Sequence, residues 1–178
     1  MCQASAMRNT LVLTVLATDR TGLVELLAKR ISAAGGNWEA SRMARLSGQF
    51  AGILMVTCDA ARSDAVVAAV RELSSAGIQV MVAGASADEP IELVGTRLQL
   101  ELTGGDRPGI VRDVSRVLAE CRVNVEELES EISSAPMSGE PLFTARARLL
   151  VPPGLALADL RAQLEALAGE LMVDLASS

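Results

Sequence analysis

Histidine and tyrosine are both missing from the 178 residues. The commonest general base and the commonest metal ligand are therefore unavailable. The aromatics are three, Trp38, Phe50 and Phe143, too few for a base-stacking platform. Cysteines are also three, and Cys2, Cys58 and Cys121 are too far apart for a zinc spacing. Cys58 and Cys121 read as small buried hydrophobes. Positive charge is in deficit: the net charge is −6. Phosphate neutralisation supplies most non-specific nucleic-acid affinity, so direct DNA binding is not expected. No apolar run approaches the roughly 18 residues of a spanning helix. The N-terminus lacks the charged-then-apolar order of a secretory signal. A cytoplasmic location without membrane association is the expectation.

What is present is a repeat. Asp19-Arg20-Thr21-Gly22 returns 87 positions later as Asp106-Arg107-Pro108-Gly109. The same offset carries Leu11 to Leu98, Leu13 to Leu100, Val24 to Val111, Asn37 to Asn124 and Glu39 to Glu126. Phe50 matches Phe143 at an offset of 93, so the second copy has a longer loop. The organisation expected is a first domain at 7–84, a linker at 85–95 and a second domain at 96–178. The joint, Gly84 to Pro90, is small, polar and Pro-ended, as linkers are.

Within each copy the apolar period changes along the chain. Leu98, Leu100 and Leu102 alternate with Gln99 and Glu101, which predicts a strand. Leu23, Leu27 and Ile31, and likewise Val111, Val114 and Leu118, share a helix face. Strands are predicted near 38–46 and 50–58, joined by a Ser47-Gly48-Gln49 turn, and near 125–133 and 141–151. A second helix carries Val66, Val70 and Leu73, or Leu157, Leu160, Leu164 and Leu167 as a core stripe. Last strands are predicted at 78–83 and 171–176. The order is β-α-β-β-α-β, twice. The fold class is α+β: two ferredoxin-like units, each a four-stranded antiparallel sheet with two helices on one face.

A strand ending in Asp-Arg-Pro-Gly, then a helix, then Asn at the head of the next strand, resembles the ACT domain. The resemblance covers nearly the whole chain as tandem copies, and departs from the pattern at Thr21, where Pro is usual. The tandem arrangement, with Ala135 to Phe143 in the second hairpin, resembles the glycine cleavage system transcriptional repressor group. That resemblance implies a small amino-acid ligand, with glycine as the signal, and action through a DNA-binding regulator protein. It implies ligand contacts from Asp19, Gly22 and Asn37, and from Asp106, Gly109 and Asn124. No cofactor, metal or catalytic residue is implied. An amino-acid-sensing regulatory subunit of a metabolic enzyme is the alternative.

The residues suit such a ligand. A zwitterion needs an acceptor for its ammonium, which Asp106 offers, and donors for its carboxylate, which Asn124 and a helix N-terminus offer. A purely structural reading also stands. Asp106 would cap the helix, Pro108 would sit in its first turn, and Asn124 would hold a left-handed turn. Gly22 and Gly109 would permit close packing. Arg20 and Arg107 read as surface ion pairs, and Trp38 as packing. Glu127, Glu129 and Glu131 read as cross-strand partners of Arg146 and Arg148.

The two copies differ on one sheet face. Leu54, Val56 and Cys58 match Ala147, Leu149 and Val151, all apolar and expected to face the helices. Opposite them, the first copy has Val12, Thr14, Ile53 and Met55, and the second has Gln99, Glu101, Arg146 and Arg148. The apolar face is expected to be covered by the second half or by another copy in a homodimer.

Overall fold

A computed structural model describes residues 8–84, 94–135, 139–167 and 171–177. The chain forms two compact units, Met1–Pro90 and Ile91–Ser178. Most of the expected linker, 85–93, lies outside the described residues, as do Cys2 and positions 136–138 of the second hairpin.

The first unit runs β1 (Arg8–Thr18), α1 (Leu23–Ala33), β2 (Gly36–Leu46), β3 (Gln49–Asp59), α2 (Ser63–Arg71) and β4 (Ile78–Gly84). The second runs β5 (Thr96–Gly105), α3 (Ile110–Glu120), β6 (Asn124–Ser134), β7 (Pro141–Val151), α4 (Leu157–Leu167) and β8 (Leu171–Ser177). Sheet orders are β2-β3-β1-β4 and β6-β7-β5-β8, antiparallel at every paired edge. The βαββαβ order appears twice, as the periodicity predicts.

Period two puts Leu11, Leu13 and Val15 on the helix side of β1, where they are buried with Leu54, Val56 and Cys58 of β3. Leu23, Leu27 and Ile31 of α1, with Val66 and Val70 of α2, close that core. The second core repeats it with Leu98, Leu100, Leu102, Ala147, Leu149 and Val151 beneath Val114, Leu118, Leu160 and Leu164. No polar side chain is buried among the described residues. Burial of apolar area therefore holds each unit together, at roughly 1.5–3 kcal/mol per large side chain.

Several expectations are corrected. Val111 is exposed, as is Val24, because Ile110, the match of Leu23, takes the core position at the helix start. Leu157 is exposed at the first residue of α4, and Leu167 only half-buried. Leu73 is buried, but in a 3-10 turn that follows α2. Cys121 is half-buried at the end of α3, whereas Cys58 is fully buried.

Ser47 and Gly48 both have positive φ, 48° and 76°, which turns β2 tightly into β3. Both sheets carry one irregularity, between Trp38 and Ala40 and between Val125 and Glu127. In each a glutamate, Glu39 or Glu126, is the extra residue of a bulge.

Candidate functional site

The turn from β1 into α1 is built alike in both units. The Asp19 N–H donates to Gly48 O at 2.9 Å, and the Asp106 N–H to Pro141 O at 2.9 Å. Gly22 and Gly109 occupy the helix N-caps with φ of 88° and 93°, a conformation that strains other residues. A Cβ on Gly22 would meet nothing within 4 Å. Backbone conformation, not tight packing, is what calls for glycine there. Neither helix has a side-chain cap, so Asp106 does not cap α3. Pro108 precedes the cap and lies outside the first turn.

The turn's side chains diverge. Asp19 pairs with Arg45 of β2. The residue matching Arg45 is Ile132, and the Asp106 carboxylate has no partner among the described residues. Arg20 donates from Nη2 to Ala76 O at 2.7 Å. Arg107 pairs with Asp113 at 3.0 Å. Arg107 and Arg112 together hold the Asp113 carboxyl below its ordinary range.

Asn37 and Asn124 stand at the other end of each sheet. Thr18 pairs with Gln49, whereas Asn37 pairs with Thr57, eight residues further along β3. At ~3.3 Å per residue that is about 26 Å. Gly105 with Leu142 and Asn124 with Leu150 repeat this separation. Within one unit the turn acid and the strand asparagine cannot hold the same small molecule. Nor is Asn124 left-handed; that role falls to Arg122, at φ 56°.

The asparagine ends also differ. Asn37 Nδ2 and Thr57 Oγ1 both donate to Glu39 Oε1, each at 2.7 Å. Strand alternation sets Glu39 on the face of Asn37, away from the helices. The Thr57 bond first, then Asn37, then the charge of Arg8 lower the Glu39 carboxyl below its ordinary value, against some desolvation. A cavity of about 170 Å³ opens beside them, lined by Arg8, Gly35, Asn37, Thr57, Cys58 and Asp59. In the second unit Glu126 instead meets Arg97 Nε at 3.2 Å and Arg148 Nε at 3.7 Å.

Arg148 also pairs with Glu127, as the strand pattern predicts, but Arg146 turns to Glu101 on β5 at 3.1 Å. Trp38 packs against the first core. The first sheet's outer face exposes Ile53, Met55 and Met81. Among the described residues no group of His, Cys, Asp and Glu is arranged to hold a metal. No helix among them is long and apolar enough to cross a membrane.

Sequence reasoning overlooked Arg8 and Thr57 as site residues. It registered Glu39 and Glu126 only as a repeat match. The signal was available: aligning the third strands sets Thr57 against Leu150, so the hydroxyl that donates to Glu39 has no counterpart beside Glu126.

An ACT domain model matches residues 9–83 and again 96–177. A solved structure of an unknown protein from Galdieria sulphuraria is 28% identical, with TM-score 0.79, over 97% of this chain and 99% of that one. A protein named as a candidate glycine cleavage system transcriptional repressor is 17% identical, with TM-score 0.71, over the same shares. The second likeness shows the fold alone. No curated protein matches the chain. With both copies matched over most of the sequence, the chain belongs to the ACT domain family.

Proposed function

We propose that the protein is a non-catalytic regulator that responds to a small amino acid and transmits the response by contact with another protein. The carrying observation is the pair of ACT copies at 9–83 and 96–177, a family whose domains indicate a ligand-binding regulatory role. Glycine is the first ligand to test and a DNA-binding regulator the first partner. The protein named as a candidate glycine cleavage repressor shares this fold, which supports that choice. A net charge of −6 supports a protein partner over DNA itself. A cytoplasmic homodimer completes the reading. The exposed Ile53, Met55 and Met81 support a second copy over the first sheet's outer face.

Purified protein should show no specific gel shift with duplex DNA at physiological salt. A small amino acid should raise its melting temperature, because a ligand selective for the native state stabilises by RT ln(1 + [L]/Kd). Affinity capture in the presence and absence of glycine identifies the partner. Glycine-sensitive recovery of a helix-turn-helix regulator supports the reading. Glycine-sensitive recovery of a metabolic enzyme moves the protein to the regulatory-subunit class.

A further inference from the structure

Arg8, Asn37, Glu39, Thr57 and Asp59 gather at one corner of the first sheet's outer face. Register brings them together: Arg8 opposes Asp59, and Asn37 opposes Thr57. Glu39 shares the face of Asn37, two residues before it, and accepts from both Asn37 and Thr57. Asn37 and Thr57 both use Oε1, so Oε2 is left without a partner among the described residues. The Arg8 guanidinium likewise has no ion-pair or hydrogen-bond partner among them. Yet Arg8 is close enough to favour the charged form of Glu39. Arg8, Asn37, Thr57 and Asp59 line one cavity of about 170 Å³, and Glu39 is bonded to its Asn37 and Thr57 wall. A cation lining the cavity and an anion held at its edge, not paired with each other, complement a molecule that carries both charges.

The second unit supplies the contrast. The position of Arg8 is taken by Gly95, where a Cβ would lie 2.4 Å from Val151 O and 3.1 Å from the Leu150 side chain. The chain rests there directly on Leu150, which replaces Thr57 and is buried. Arg97 and Arg148 neutralise Glu126. Asp59 is replaced by Pro152. Every charge that the first unit leaves open is here paired, filled or deleted.

We propose that the Arg8–Asn37–Glu39–Thr57 corner of the first unit is a binding site for a small α-amino acid zwitterion. Arg8 takes the carboxylate and Glu39 Oε2 the ammonium, while the matching corner of the second unit is self-filled and binds none. This rests on the amino-acid-responsive reading above and names which unit, and which residues, perform it.

The test titrates the full chain with each of the twenty common α-amino acids by calorimetry, with glycinamide and N-acetylglycine as single-charge controls. Binding of at least one amino acid, and of neither control, is expected. Glu39→Gln, Arg8→Gln and Thr57→Leu should each weaken it at least tenfold. Glu126→Gln should leave it unchanged. Melting curves of the unliganded variants, all altered at surface positions, check that each folds. If no amino acid binds the parent chain, the regulatory reading fails and this site with it. If one binds but the three first-unit variants retain parental affinity, the regulatory reading survives and this site is wrong. Loss of binding in Glu126→Gln would overturn the proposed division between the units.

Discussion

On the helix side the two units are near copies, and on the other side they are not. Leu11, Leu13 and Val15 recur as Leu98, Leu100 and Leu102, all buried, and Leu27 and Ile31 recur as Val114 and Leu118. Away from the helices, exposed Ile53 and Met55 stand where the second sheet has Arg146 and Arg148 with their glutamates. The buried positions obey packing, and any change of volume there is felt. The outer positions are free of that constraint and carry what distinguishes the units. One backbone has been kept while its two outer faces differ: exposed apolar side chains on one, ion pairs on the other.

The largest effect is expected from charging the apolar face. Ile53→Glu with Met55→Lys should dissociate the proposed homodimer, since each buried side chain contributes roughly 1.5–3 kcal/mol there. Arg146→Gln with Arg148→Gln should leave assembly intact and cost only ~0.2–1 kcal/mol per lost pair. Sedimentation and thermal melts of both variants decide it. Equal, small effects would mean that the first sheet's face is not an interface.

A second contrast lies at the matched pair Thr57 and Leu150. Leu150→Ala should destabilise the second unit by about 2 kcal/mol, the low end for a buried leucine, because Leu150 lies outside the main core cluster. Thr57→Ala removes one exposed hydroxyl bond and should cost less, about 1 kcal/mol or under. Chemical denaturation measures both. A comparable loss at the two sites would contradict the view that one corner is filled and the other open.

The helix-capping glycines should instead behave alike. Gly22→Ala and Gly109→Ala each force a side chain into a left-handed conformation, at about 1–2 kcal/mol. Gly109→Ala should be the more costly, because its Cβ would approach Arg112 Nη2 at 3.0 Å, whereas Gly22 faces open space. A gap much larger than a few tenths of a kcal/mol between them would show that the second turn is under a further constraint.

The smallest effect concerns acid. Asp113 sits where the first unit has Leu26, so only the second unit carries this carboxylate between Arg107 and Arg112. Its folded pKa is depressed, so its contribution is present above the unfolded carboxylate pKa and is lost as pH falls through the lower folded value. Asp113→Asn should slightly lower the melting temperature at neutral pH. The difference from the parent should vanish once the solution is acid enough to protonate the parent's Asp113. A difference that persists there would assign the effect to packing and not to charge.

Local signals made most of the fold legible. A period of two over Leu98 to Leu102 and a helical period over Leu23 to Ile31 report burial directly, because each residue's face follows from its own element's geometry. Repetition of the whole pattern at an offset of 87 marked two units and their βαββαβ order. Those signals weaken at element ends, which is why Val111 and Leu157 were expected inside and lie outside.

The site was less legible, because it depends on which strands meet and in what register. Asp19 and Asn37 flank one helix in sequence, yet antiparallel pairing sends them about 26 Å apart. Alternation puts Glu39 on the face of Asn37, but only the pairing of β2 with β3 sets Thr57 beside both. Arg107 finds Asp113 because a left-handed glycine sets where α3 starts. Which residues are apolar, at what period, and that the pattern occurs twice can be read along the chain. That Arg8, Asn37 and Thr57 share a corner emerges on folding, since it follows from non-local strand register that no local period encodes.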